Sequence, residues 1–165
     1  MNSPALARLA IYAGSFDPPT LGHLDLIERA SALFSDVIVG IGRHATRTPL
    51  FSVEERIDLV SRVSSHLPNV VVEAFDTLLI DFCKKKKARV IVRGLRAATD
   101  FEYELQIAHA NADLGPQVDT VFLPTRTMNG FISASLVREI ASHGGDASRY
   151  APKIVCEALV KKFAR

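Results

Sequence analysis

The 165-residue chain has no tryptophan, two methionines and two cysteines. Cys83 and Cys156 stand far apart, each within an apolar helical pattern, so neither a disulfide framework nor a closely spaced metal-ligand pair is available. They read as core thiols. Long apolar runs are missing too: nothing approaches the roughly 20 residues of a membrane span, and the start "MNSPALARLAIYAG" lacks the uninterrupted stretch of a signal peptide. A cytoplasmic protein with no membrane partner is expected. Charge of one sign is scarce, because 20 Lys and Arg against 18 Asp and Glu leave a formal +2. That balance argues against a nucleic-acid surface, which needs a concentrated basic stripe. Any anion bound should be small. Repeats, low-complexity tracts and linkers are absent as well. The composition is 48% apolar and 23% charged, the balance of a soluble globular protein, and one domain spanning 1–165 is expected.

What is present is a regular alternation of short β-branched runs and longer helical patterns. Strands are predicted at Leu9 to Ala13, Asp36 to Ile41, Val70 to Phe75, Arg89 to Arg93 and Asp119 to Leu123. Helices are predicted from about Gly22 to Phe34, Ser52 to His66, Thr77 to Lys87 and Thr99 to Leu114, with two more starting near Ser133 and Pro152. Ser52 with Glu55 and Thr99 with Glu102 have capping-box spacing. Alternation of this kind predicts an α/β fold: a doubly wound, Rossmann-like, five-stranded parallel sheet with helices on both faces. In the order 3-2-1-4-5 the winding reverses between the first and fourth strands, and ligands bind beyond their carboxyl ends. Two polar segments should converge there, "GSFDPPTLGH" (Gly14 to His23) and "RGLRAATDFEYE" (Arg93 to Glu104).

Within the first segment, Gly14 is expected to adopt a backbone conformation closed to other residues, and Pro18 and Pro19 to stiffen the loop. Thr20 is a candidate N-cap, placing Gly22 and His23 in the first helical turn, where amides and the helix dipole attract phosphate. His23 would add a side-chain donor. Asp17, before proline, has a sufficient explanation as a turn former.

The string "GSFDPPTLGH" resembles the signature of the nucleotidyltransferases whose hallmark is a His- or Thr-x-Gly-His turn after the first strand. "VIVRGLRAATDFEYELQIAHAN" (Val90 to Asn111) and "FISASLVREI" (Phe131 to Ile140) narrow the resemblance to the bacterial phosphopantetheine adenylyltransferase family, from about Leu9 to the C-terminus. The resemblance implies transfer of the adenylyl group of ATP to 4′-phosphopantetheine, giving dephospho-coenzyme A and pyrophosphate. It implies His23 as the catalytic donor to the nucleotide phosphates. Ser15, Phe16, His23, Gly94, Leu95, Arg96 and Glu104 match nucleotide contacts, as does the run Asn129, Gly130, Phe131, Ile132, Ser133, Ala134 and Ser135. Ser15, Arg47, Leu79 and Arg93 match contacts to phosphopantetheine. Mg2+ bound with ATP, a homohexamer and feedback binding of coenzyme A are also implied.

Several positions depart from the family pattern. Ala134 interrupts a usual run of three hydroxyl residues, Arg47 replaces a frequent lysine, and Ser15 replaces a threonine. Asn129 stands where many members have an aromatic, so adenine specificity is expected from backbone groups of Asn129 to Ile132.

"GIGRHA" (Gly40 to Ala45) fits a dinucleotide-binding fingerprint formally, but Pro49 separates it from the next helix, which starts at Ser52. Nicotinate mononucleotide is the alternative acceptor within the superfamily, and a non-catalytic nucleotide sensor is a third possibility. Lys84 to Lys87 end a helix, where cations complement the dipole.

Overall fold

A computed structural model of the chain describes residues 8–43 and 48–164. The strands β1 (Leu9–Gly14), β2 (Asp36–Gly42), β3 (Val70–Phe75), β4 (Val90–Leu95) and β5 (Asp119–Pro124) pair in parallel in the order β3-β2-β1-β4-β5. This is the doubly wound sheet the alternation predicts, with its reversal between β1 and β4.

Strand alternation divides the core. Ala10, Tyr12, Val37, Val39, Val90 and Val92 point to one face, against Leu26, Ile27 and Ala30 of α1 (Leu21–Leu33) and Val60 of α2 (Val53–Val63). Ile11, Ala13, Ile38 and Ile91 point to the other, against Ile80, Phe82 and Cys83 of α3 (Leu79–Lys86). α4 (Ala98–Leu114) packs on α3, β4 and β5. A third cluster joins α5 (Ala134–Ser142) and α6 (Lys153–Phe163) through Val137, Val155 and Leu159 to Phe51 and Leu59. At roughly 1.5–3 kcal/mol per fully buried aliphatic side chain, this burial on both faces dominates the local preferences of any one element.

Three expectations are revised in detail. α4 starts at Ala98, and its N-cap Ala97 makes no side-chain bond, so the Thr99–Glu102 pattern is not the cap. The Asp100 carboxylate instead accepts the Arg96 backbone N–H at 3.3 Å. Gly14 is not left-handed; Phe16 is, with φ 48°. Gly14 instead eases a close approach, because a Cβ there would lie 3.1 Å from the Phe16 ring, tighter than an ordinary contact. Cys83 is buried as expected, whereas Cys156 is only half-buried.

Gly40 lies inside β2 rather than in a turn before a helix, and a Cβ there would come within 3.1 Å of Phe75. The dinucleotide pattern is thus a packing feature, and its last residues, His44 and Ala45, lie outside the described residues. The lysine run does close α3: Lys87 forms its left-handed C-cap, Lys86 pairs with Glu73, and Lys84 donates to the Leu114 carbonyl at 2.8 Å.

Candidate active site

Beyond the carboxyl ends of β1 and β4 lies a crevice of about 610 Å³, within the size range of small-molecule sites. Two helix N-termini open onto it, those of α1 through Gly22 and His23 and of α5 through Ser133, Ala134 and Ser135. Both present positive dipole ends to one space.

α1 begins with a reciprocal cap. Thr20 Oγ1 accepts the His23 N–H at 3.3 Å, and the Thr20 N–H donates to His23 Nδ1 at 3.0 Å. An Nδ1 that accepts an amide hydrogen carries no proton, so the neutral ring carries its hydrogen on Nε2. Burial, reinforced by the Arg96 charge, pushes the imidazole from 6.5 down to about 4. His23 is therefore a neutral N–H donor near pH 7. Phe16, fully buried, packs beside the imidazole with ring centroids 4.9 Å apart, and Tyr12 meets Phe16 edge-on at 5.4 Å. The left-handed backbone at Phe16 costs about 1–3 kcal/mol, and this packing holds it there.

Four arginines line the crevice. Arg93 is bound by Glu104, with Nε to Oε2 at 2.7 Å and Nη2 to Oε1 at 2.6 Å, while its Nη1 donates to the Ala13 carbonyl at 2.9 Å. Burial opposes the Arg93 charge, but the Glu104 carboxylate outweighs it and holds the guanidinium above its ordinary value. Arg96 is more exposed and pairs with Asp100 at 3.1 Å. Asp100 is thus both a first-turn acid and an ion-pair partner.

Arg56 and Arg138 are the arginines the sequence reading missed. Arg56, 3% exposed, donates from Nε to the carbonyls of Phe51 and Ser52, and from Nη1 to those of Ser15 at 2.7 Å and Gly42 at 3.4 Å. It ties the loops after β1 and β2 together. Arg138, one turn into α5, donates to the Asp17 carbonyl and to Ser135 Oγ at 3.3 Å. Its spacing of three from Ser135 was the available signal, since it puts both on one helix face. Asp17 does more than set a turn: its buried carboxylate accepts the Leu50 and Phe51 N–H groups at 2.9 Å each. Asp25 fixes the segment after β5 to α1 through Arg126 at 2.9 Å, and Arg29 donates to the Pro124 carbonyl at 2.8 Å.

The crevice brings together Ser15, His23, Arg93, Gly94, Arg96 and Glu104 on one side and Asn129, Ile132, Ser133, Ala134 and Ser135 on the other. Ser133 caps α5 by accepting the Leu136 N–H at 3.1 Å. Phe16, Leu79, Leu95, Gly130 and Phe131 are not on its walls: Leu79, the first residue of α3, packs against the core, and Phe131 is 62% exposed. Arg47 lies outside the described residues.

A positively lined crevice at the winding reversal of a parallel sheet, with a neutral histidine on a helix N-terminus, defines a nucleotidyltransferase of Rossmann-like fold. Residues 11–140 match the cytidylyltransferase-like family model. The chain is 47% identical over 156 residues to the phosphopantetheine adenylyltransferase of Lachnoclostridium phytofermentans, covering 94% of this chain and 96% of that protein. The chain belongs to the cytidylyltransferase-like family and, within it, to the phosphopantetheine adenylyltransferases. Solved structures share the fold at lower identity. The Plasmodium falciparum nicotinic acid mononucleotide adenylyltransferase complexed with NaAD has a TM-score of 0.68 at 16% identity, covering 93% of this chain and 95% of that one. A bifunctional NMN adenylyltransferase/ADP ribose pyrophosphatase of Francisella tularensis has a TM-score of 0.72 at 19% identity, covering 94% of this chain and 49% of that one.

Proposed function

We propose that this chain transfers the adenylyl group of ATP to 4′-phosphopantetheine, giving dephospho-coenzyme A and pyrophosphate. The observation that carries the reading is His23, a neutral Nε2–H donor on one helix N-terminus, in a crevice that a second helix N-terminus also lines. The nucleophile is an oxygen of the substrate's own phosphate, so no side chain need remove a proton. A bond forms from that oxygen to the α-phosphorus, the bond from the α-phosphorus to the bridging oxygen breaks, and pyrophosphate leaves with its electron pair. The work left to the protein is placement and charge stabilisation.

In this reading the His23 Nε2–H donates to the α-phosphate as charge builds in the transition state. The amides at the start of α5, with Ser133, Ser135 and Arg138, take the outer phosphates, and Arg96, just after β4, adds charge. Arg93 faces the acceptor phosphate, joined by Ser15 and, by family resemblance, Arg47. Phe16 acts by seating the imidazole. Asn129 and Ile132, which line the crevice, offer backbone groups to adenine, on a segment held to α1 through Asp25 and Arg126.

Mg2+ is taken to arrive on ATP, where it would neutralise phosphate charge. In this reading the ATP phosphates supply its ligands. A cytoplasmic location, a homohexamer and feedback binding of coenzyme A follow from the family resemblance. Among the described residues no helix is long and apolar enough to cross a membrane.

Mass spectrometry of the purified protein with Mg-ATP and either 4′-phosphopantetheine or nicotinate mononucleotide tests the reading. Dephospho-coenzyme A from the first acceptor alone is expected. Deamido-NAD from the second would reassign the acceptor and leave the role of His23 standing, and nucleotide binding without either product would favour a sensor.

A further inference from the structure

Of the four arginines on the crevice wall, three face a carboxylate: Arg93 faces Glu104 at 2.6 Å, Arg96 faces Asp100 at 3.1 Å, and Arg138 faces Asp17 at 3.8 Å. Arg56, only 3% exposed, has no ion-pair partner among the described residues. Exposed Glu54 feels the Arg56 charge through space without pairing to it. The contacts of Arg56 are to carbonyls instead, from Nε to those of Phe51 and Ser52 and from Nη1 to those of Ser15 and Gly42. A buried guanidinium with dipoles but no opposite charge beside it is a costly arrangement.

Nη2 carries two more N–H groups, and neither has an acceptor among the described residues. Thr125 Oγ1 is the one side-chain N or O atom of those residues that is both sealed from solvent and unpartnered, so Nη2 keeps some surface. That surface opens onto the crevice, whose wall Arg56 helps to form. The carbonyl contacts fix the plane of the guanidinium and with it the direction of Nη2. They also place it in the site. Ser15 follows β1 and Gly42 ends β2, so Arg56 stands on the β2 side of β1, the side of Thr48 and Pro49. Gly94, Arg96 and the segment after β5, assigned above to the nucleotide, lie on the β4 and β5 side.

We propose that Arg56 is a ligand of the acceptor's phosphate, which it takes through Nη2 and whose charge balances its own inside the crevice. The inference rests on the functional reading above and adds a phosphate contact to that same site. A group that recognises the phosphate contributes nothing to a ligand that lacks one. The defect of an Arg56 variant should therefore appear only with the phosphorylated acceptor.

NMR titration of the wild-type protein and of Arg56→Lys, with 4′-phosphopantetheine and with pantetheine, which lacks the phosphate, tests this. Lysine keeps a positive charge but has no planar fork. Wild type is expected to prefer the phosphorylated ligand. The substitution should narrow that preference about tenfold, the scale of a lost charge-assisted contact, while affinities for pantetheine and for ATP stay within about twofold. An equal loss for both acceptors marks a structural role alone and overturns the proposal, as does a wild type indifferent to the phosphate or a loss confined to ATP. Should Arg56→Lys fail to fold, a crystal structure of the wild type with 4′-phosphopantetheine decides. A phosphate oxygen within about 3.2 Å of Nη2 is expected, and a phosphate seated away from it refutes the assignment. Wild-type protein that makes no dephospho-coenzyme A would strike the functional reading alone, and the titration, which needs binding and not turnover, would still decide.

Discussion

A histidine that accepts an amide at Nδ1 and is pushed down to about 4 stays neutral across the range in which a phosphate monoester loses its second proton, near pH 6. The acid limb of kcat/KM should therefore belong to the substrate. His23→Gln is expected to lower kcat on the order of a hundredfold, as loss of one transition-state donor does, and to leave the limb where it was. Its disappearance in the variant would transfer the limb to His23. Stability carries the same signature. Because folding depresses this pKa, unfolded chain takes up a proton that folded chain refuses between about 6.5 and 4. Wild-type stability should fall with pH through that window, by at most ~1.4 kcal/mol per pH unit, relative to His23→Gln. Urea unfolding of both proteins at pH 7 and pH 5 measures the difference.

Between elements, the loops are held by buried polar anchors whose partners are remote in sequence. Asp17 accepts two amides of the segment before α2 and lies beside Arg138 of α5, so it joins three elements. Asp17→Asn replaces one acceptor oxygen by a donor facing an amide, and should cost about 1–3 kcal/mol in urea unfolding. Thr20→Ala removes only the side-chain half of the α1 cap, and about 1 kcal/mol is expected. These contrasts show what was legible. Thr20 as a cap and the Ser52–Glu55 box depend on residues three apart, so the sequence spacing reveals them. Thr99–Glu102 has the same spacing and misleads, because Asp100 and Arg96 organise that turn instead. The links of Arg56 to Ser15 and of Arg138 to Asp17 appear only once the strands are assembled, since nothing local distinguishes a bonded arginine from a solvated one.

Across the whole molecule, strand order sets the chemistry. The β1–β4 reversal brings Gly14 to His23 and Arg93 to Glu104 to one crevice, and the alternation of apolar strands with helices makes the doubly wound sheet that contains it readable from the sequence. A ligand bound only by folded protein stabilises it, by about 2.7 kcal/mol at a hundred times its dissociation constant. Mg-ATP should accordingly raise Tm, and Arg96→Ala should reduce that rise by weakening nucleotide binding. Thermal unfolding of both proteins over a nucleotide series checks this. The central claim is that the crevice aligns two substrates for direct transfer, with His23 as donor and no side chain as nucleophile. Turnover of ATP made chiral at phosphorus by an α-thio substitution tests it most directly. Inversion at the α-phosphorus in the dephospho-coenzyme A formed is predicted, and retention, which requires an adenylylated enzyme and two displacements, would contradict the account.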